Sequence, residues 1–136
     1  MPRTPRIEIG GERALVIDSP LLRLLPTFWG WDAETGALFT SDVFTHGTIR
    51  RPDDQPVIDS TVADETTAEE VAAHLLAKYE WIAKATTEPL QEWLAAKFAE
   101  LQPEMIAPSR GCVLKGRDVV ERHLDLMLKA LTVKGN

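Results

Sequence analysis

The stretch "LFTSDVFTHG", residues 38–47, sets an apolar strand directly against a carboxylate. Leu38 and Phe39 run into Ser41 and Asp42, and a histidine, His46, follows one turn later. A carboxylate at the tip of a buried strand costs free energy unless something compensates it, because an unpaired charge loses its hydration there. A metal ion, a hydrogen-bonded loop or an arginine partner would each supply that compensation.

Upstream of this stretch the chain is strand-like. "RIEIGG" alternates, "RALVID" is a short apolar run, "TFWGWD" is aromatic, and each is bounded by Gly, Pro or Asp. Between "TFWGWD" and "GALFTS" lies "DAETG", whose polar residues and closing glycine predict an antiparallel hairpin with a short bulged loop. A small sheet over residues 6–43 follows. Residues 47–66 then carry two prolines, five acids and no sustained period, and read as a long acidic loop: a lid, a partner contact or a plain surface connection.

Beyond the loop the period changes from two to 3.6. Thr67 and Glu70 have the form of a capping box, and Val71, Leu75, Tyr79 and Ile82 line one face of a helix ending near Lys84. A second helix starts near Glu88 with Pro89 in its first turn and brings Leu90, Leu94, Phe98 and Leu101 together before Pro103 stops it. A short strand, "EMIAPSRG", leads into a last helix from about Arg117 with Val120, Leu124, Met127, Leu128 and Leu131 inward. The expected order is four strands, a loop, two helices, a strand and a helix.

With 136 residues the chain reads as one domain, residues 1–136, large enough to bury a core without a disulfide. Its net charge of −6, with 15 Lys and Arg scattered along the chain, argues against nucleic acid as a partner. Cys112 is the one cysteine, expected as a buried thiol, and a cytoplasmic location is the matching expectation. No run of apolar residues reaches membrane-spanning or signal-peptide length, so no membrane partner is expected either.

Two segments bring polar groups to strand ends, Ser41 to His46 and Pro108 to Gly111, and in an open α/β arrangement such ends collect ligands. His46 reads as a hydrogen-bonding support or a metal ligand, while His74 and His123 read as helix-flank residues. Tyr79, Trp81 and Trp93 fall at packing positions. Trp29 and Trp31 share one side of a strand, as core or as an aromatic face awaiting a partner.

Taken together, "GALFTSDVFTH", "EEVAAHLLAKYEWI", "MIAPSRG" and the upstream "DSPLLRLLPTFWGWDAETG" resemble the C-terminal half of the metallo-β-lactamase fold, closest to its flavodiiron branch of dioxygen- and nitric-oxide-reducing proteins. The likeness runs from about residue 6 to residue 131. It implies an α/β fold: half of a metallo-β-lactamase-like αββα sandwich, with one mainly antiparallel sheet covered by about three helices. It also implies that Asp42 occupies the place of a metal-bridging aspartate. The resemblance puts Arg23, with Leu22 as the neighbouring choice, and Arg110 where intact members carry histidines, and the histidine-rich loop of the other half has no counterpart here. An arginine cannot ligate, since its guanidinium stays protonated and has no lone pair.

The expectation is therefore a degenerate metal site with no catalytic residue. Asp42, His46, Arg23 and Arg110 would bind a ligand, Asp42 alone would survive as a metal ligand, and Asp42 would pair with Arg110 or Arg23, directly or through a bound anion. No cofactor is expected, or Fe or Zn if a partner completes the site. A homodimer, or a complementary N-terminal half, would cover the open sheet face. The resemblance thus implies a self-associating, non-catalytic half domain that binds a small ligand or protein. Its alternative is the C-terminal part of a metal-dependent hydrolase or diiron oxidoreductase completed by a separate half.

Overall fold

The computed structural model describes residues 6–10, 13–18, 28–48 and 56–133. Seven strands form one sheet in the order β1-β2-β3-β4-β6-β7-β5. β1 (Arg6–Gly10), β2 (Arg13–Asp18), β3 (Trp29–Asp32) and β4 (Ala37–Ser41) make an antiparallel meander. β4 then pairs in parallel with β6 (Met105–Pro108), β6 pairs antiparallel with β7 (Val113–Lys115), and β7 pairs in parallel with β5 (Val57–Ile58). The sheet is mainly antiparallel, as the resemblance implies.

Register explains where the core lies. Val16 opposes Trp31, Trp31 opposes Leu38, Leu38 opposes Ile106, Ile106 opposes Leu114, and Leu114 opposes Ile58, so one row of side chains crosses six strands on a single face. From Leu38 to Ile58 every member of the row is buried. Trp29, two residues before Trp31 and so on the same face, is also buried and packs edge-on against Trp93 and Phe98. The two tryptophans are core and core edge rather than an exposed aromatic face.

The helices that cover this face begin and end where their sequences direct. α1 (Ala68–Lys78) is capped by Thr67, whose Oγ1 accepts from the Glu70 N–H at 3.2 Å. It stops six residues short of the expected Lys84: the segment Glu80–Lys84 tightens into a 3₁₀ turn that keeps Ile82 inward. α2 (Glu88–Leu101) accepts Pro89 in its first turn and ends at Gln102, which takes a left-handed φ of 47° before Pro103. α3 (Arg117–Val133) packs against α1, α2 and the β6–β7 pair. No helix among the described residues is long and apolar enough to cross a membrane.

Two short strands were not legible as strands. β5 lies inside the stretch read as an acidic loop, and β7 follows the turn that was read as leading directly into α3. Both are too brief to show alternation; each is set by its partner, Val57 opposite Val113 and Ile58 opposite Leu114.

Leu114 is fully buried at the centre of the cross-strand row, whereas its neighbour Lys115 is exposed on the other face. Leu114→Ala is expected to cost about 2–5 kcal/mol by urea titration, and Lys115→Ala no more than about 0.5 kcal/mol.

Candidate functional site at the strand ends

β4 and β6 are parallel neighbours, so their C-terminal ends open at the same edge of the sheet. Ser109 leaves β6 with its N–H on the Ser41 carbonyl at 2.8 Å, and its hydroxyl donates to the same carbonyl at 2.8 Å and to Asp42 Oδ1 at 3.2 Å. The two polar segments found in the sequence are therefore in contact.

The backbone here is bent hard. Ser41 and Phe44 have φ of 49° and 63°, a left-handed conformation that residues with a side chain adopt at a cost of order 1–3 kcal/mol each. Side chains from elsewhere hold the turn. Lys78 and Tyr79, at the end of α1, donate to the Asp42 carbonyl at 2.7 and 3.3 Å, and Thr40 Oγ1 donates to the Val43 carbonyl at 2.7 Å. Gly111 closes the opposite side. Its φ is 77°, and a Cβ there would stand 2.6 Å from the Thr45 carbonyl oxygen and 2.8 Å from that of Gly47, so only glycine lets the two loops touch.

Asp42 is half-exposed, and the cation beside it is Lys78, whose Nζ lies 3.7 Å from Oδ1. A direct pairing with Arg110 is not formed: Arg110 is exposed at the tip of the β6 turn, and no ion pair joins it to Asp42. Glycine at 111 lets the chain turn back toward Cys112 and leaves Arg110 on the outside. Arg23 lies outside the described residues.

His46 lies behind this surface, buried in a chain of hydrogen bonds. His123 Nε2 is 2.6 Å from Asp64 Oδ2, and His123 Nδ1 is 2.9 Å from His46 Nε2, with the two rings stacked. A carboxylate can only accept, so His123 donates through Nε2; a neutral His123 then accepts at Nδ1 from His46 Nε2–H. His46 Nδ1 keeps its lone pair and has no hydrogen-bond partner among the described residues. Burial, reinforced by His123 and His74, lowers the His46 pKa to about 3, and burial also lowers that of His123 against the opposing pull of Asp64. For Asp64 burial acts upward, but hydrogen bonds from Thr66 and His123 outweigh it and bring the carboxyl to about 2. Arg122 secures the same loop, reaching Asp64 Oδ2 at 3.1 Å and the Thr66 carbonyl at 2.7 Å.

His74 is committed too. Its Nε2 is 2.7 Å from Thr45 Oγ1, and Lys78 Nζ is 3.2 Å from the same oxygen. The ammonium donates to that oxygen, and the hydroxyl either donates its own proton to His74 Nε2 or accepts a second bond from it. Burial, with Lys78 alongside, keeps the His74 pKa below its ordinary value.

The sequence reading missed three members of this arrangement. Lys78 and Asp64 carried no signal, but His123 did: it follows Val120 by three residues and precedes Met127 by four, which puts it on the inward stripe of α3 rather than at its flank. It is fully buried.

These residues do not fit a metal centre. An iron or zinc ion needs three or more neutral imidazoles and carboxylates around one point. Among the described residues no group of three His, Cys, Asp or Glu could hold an ion. Asp42 has an ammonium beside it, and each histidine is hydrogen-bonded to another side chain.

No protein-family model matches the chain, and no curated protein matches it in sequence. Solved structures do. Rubredoxin oxygen:oxidoreductase from Desulfovibrio gigas superposes with a TM-score of 0.65 at 14% identity, over 90% of this chain and 29% of that one. A flavo di-iron protein variant from Thermotoga maritima gives 0.61 at 19% identity over 98% and 30%. The chemotaxis sensor ODP from T. denticola, in its apo state, gives 0.60 at 17% identity over 92% and 48%. The fold is half of a metallo-β-lactamase-like sandwich, and the chain spans less than half of each of these three structures.

Two outcomes follow from this geometry. A histidine whose folded pKa lies below its unfolded value of about 6.5 contributes stability that is complete above that value and is lost as pH falls. His46 alone sets a slope of about 1.4 kcal/mol per pH unit from about pH 6 towards 3, with His74 and His123 adding in the same direction. Urea titrations at pH 7.5, 6, 5 and 4 measure it, and His46→Gln is expected to flatten the dependence. Gly111→Ala is expected to destabilise by more than about 2 kcal/mol in the same assay, because neither facing carbonyl is a side chain that can move aside.

Proposed function

We propose that this chain is a degenerate, non-catalytic half domain that associates with a second copy through its outer sheet face and holds a small ligand or protein segment at its strand ends. One observation carries the proposal. Strand residues alternate between faces, and those on the face opposite the core include Ile7, 51% exposed, and Phe39, 44% exposed; Phe28, just before β3 and in the same phase as Gly30, is 61% exposed. Leu15, half-buried, lies over Gly30, where a Cβ would stand 3.1 Å from it, so the apolar surface continues from β1 to β4. At about 25 cal/mol per Å², several hundred Å² of such surface left in water forgoes on the order of 10 kcal/mol. A second copy offers an identical patch, which a two-fold axis can match to itself.

The ligand site in this reading consists of Asp42, Ser109 and Arg110, with Lys78 beneath them and Arg23 proposed as a further contributor. Lys78 and Arg110 provide positive charge and Asp42 an acceptor, a set suited to a ligand with both an anionic group and a donor. His46 contributes indirectly: through His123 and Asp64 it fixes the loop that carries Asp42.

The lengths of the matched structures favour a second reading. Because the chain covers 29–48% of them, and one is named as a flavo di-iron protein, a separate half carrying the remaining ligands would make this the C-terminal part of a metal-dependent hydrolase or diiron oxidoreductase.

Light scattering at micromolar concentration is expected to give the mass of a dimer, and Phe39→Glu to shift it towards monomer. A stable, folded wild-type monomer would refute association through the sheet. After incubation with iron or zinc and exhaustive dialysis, the chain is expected to retain well below one equivalent by elemental analysis. One tightly held equivalent would overturn the reading of the site as degenerate.

A further inference from the structure

The helical layer contains a groove that plays no part in the strand-end site. It lies between the C-terminal half of α2 and the N-terminal half of α3 and has a volume of about 360 Å³. This falls in the range that small-molecule sites occupy. Its floor is apolar: Phe98 is buried there, with Val120 and Leu124 on the α3 side. The groove stays open because α2 faces it with Ala95 and Ala99, one turn apart, whose side chains stop at Cβ.

Its rim carries one charge of each sign. Arg117 and Glu121 both line the groove and stand one turn apart on α3, about 6 Å along the axis. Arg117 is oriented by two anchors on the α2 side, Glu104 at 3.6 Å and the Gln102 carbonyl at 3.5 Å, yet its side chain is 51% exposed and its five-donor fork has capacity to spare. Glu121 is exposed and has no hydrogen bond or ion pair among the described residues.

We infer that the groove between α2 and α3 binds a free α-amino acid with an apolar side chain: its carboxylate on Arg117, its ammonium on Glu121 and its side chain against Phe98, Val120 and Leu124. The two rim charges select this class. A simple acid would gain Arg117 and face Glu121, a simple amine would do the reverse, and only a zwitterion of this span satisfies both. The volume suits one small molecule and is too small for a partner helix. The inference is independent of the association and strand-end proposals.

Backbone-amide NMR of the intact chain, titrated with L-leucine and L-phenylalanine, tests it. Saturable shifts confined to residues 95–103 and 117–124 are expected. 4-Methylpentanoic acid and 3-methylbutylamine, each lacking one charge, are expected to bind about tenfold more weakly or worse, as is L-leucine to Arg117→Gln and to Glu121→Gln. Ala99→Trp would fill the groove and abolish the shifts with an unchanged circular dichroism spectrum; should it misfold, the two exposed charge variants carry the test. Absence of saturable shifts, shifts centred elsewhere, or single-charge analogues binding as well as the amino acids would overturn the inference.

Discussion

The parallel pairing of β4 with β6 is the constraint on which the rest of the structure depends. A parallel partner cannot be reached by a tight turn, so the chain must leave β4, cross the sheet and return in the same direction. In this chain the crossing contains β5, α1, the 3₁₀ turn and α2, and Ser41 and Ser109 meet 68 residues apart. The crossover delivers the helices to one face. It also places the C-terminal ends of two strands side by side, where their last carbonyls and the side chains that follow must find partners. Ser109, Lys78 and Tyr79 meet that need at Ser41 and Asp42. Loop closure of this length is entropically expensive, and the buried row from Leu38 to Leu114 supplies the apolar contacts that offset it.

The polar interior follows from the same crossover. The loop after β4 turns inward with Phe44 and His46 buried, and a buried imidazole needs a partner. His123 answers from α3 and Asp64 from the segment before α1, so one hydrogen-bonded chain ties three stretches that are otherwise distant. Half-satisfied networks are costly, and His46 Nδ1 is an orphan among the described residues. The network thus fixes the position of the Asp42 loop and at the same time makes it sensitive to proton uptake, since neither buried ring can take a second proton without losing an acceptor or burying a charge.

The fold was legible because its signals are local. The Thr67–Glu70 capping box, Pro89 at the start of α2, Pro103 after its end and the "DAETG" turn each act through nearby backbone, and each marks the boundary it was expected to mark. β5 and β7 were not legible because a strand of two or three residues has no period and is defined by its neighbour. The site was partly legible. Asp42 and the β6 turn were found from their types at strand ends, but which cation faces Asp42 depends on how α1 lies over the loop, so Lys78 gave no sign in the sequence. His123 has no metal-binding partner at i+3 or i+4 and so reads as a flank residue, but its position on the apolar stripe of α3 buries it together with whatever satisfies it.

The outer sheet face and the strand-end cluster share an edge. Phe28, the most exposed of the large apolar residues described, accepts at its carbonyl from the Ser41 hydroxyl. Ser41 is one of the two left-handed residues in the turn after β4 and immediately precedes Asp42. The Ser41 hydroxyl therefore ties the backbone at the edge of the outer-face patch to the turn that carries Asp42. The link is short: one hydroxyl, one carbonyl and the peptide between Ser41 and Asp42.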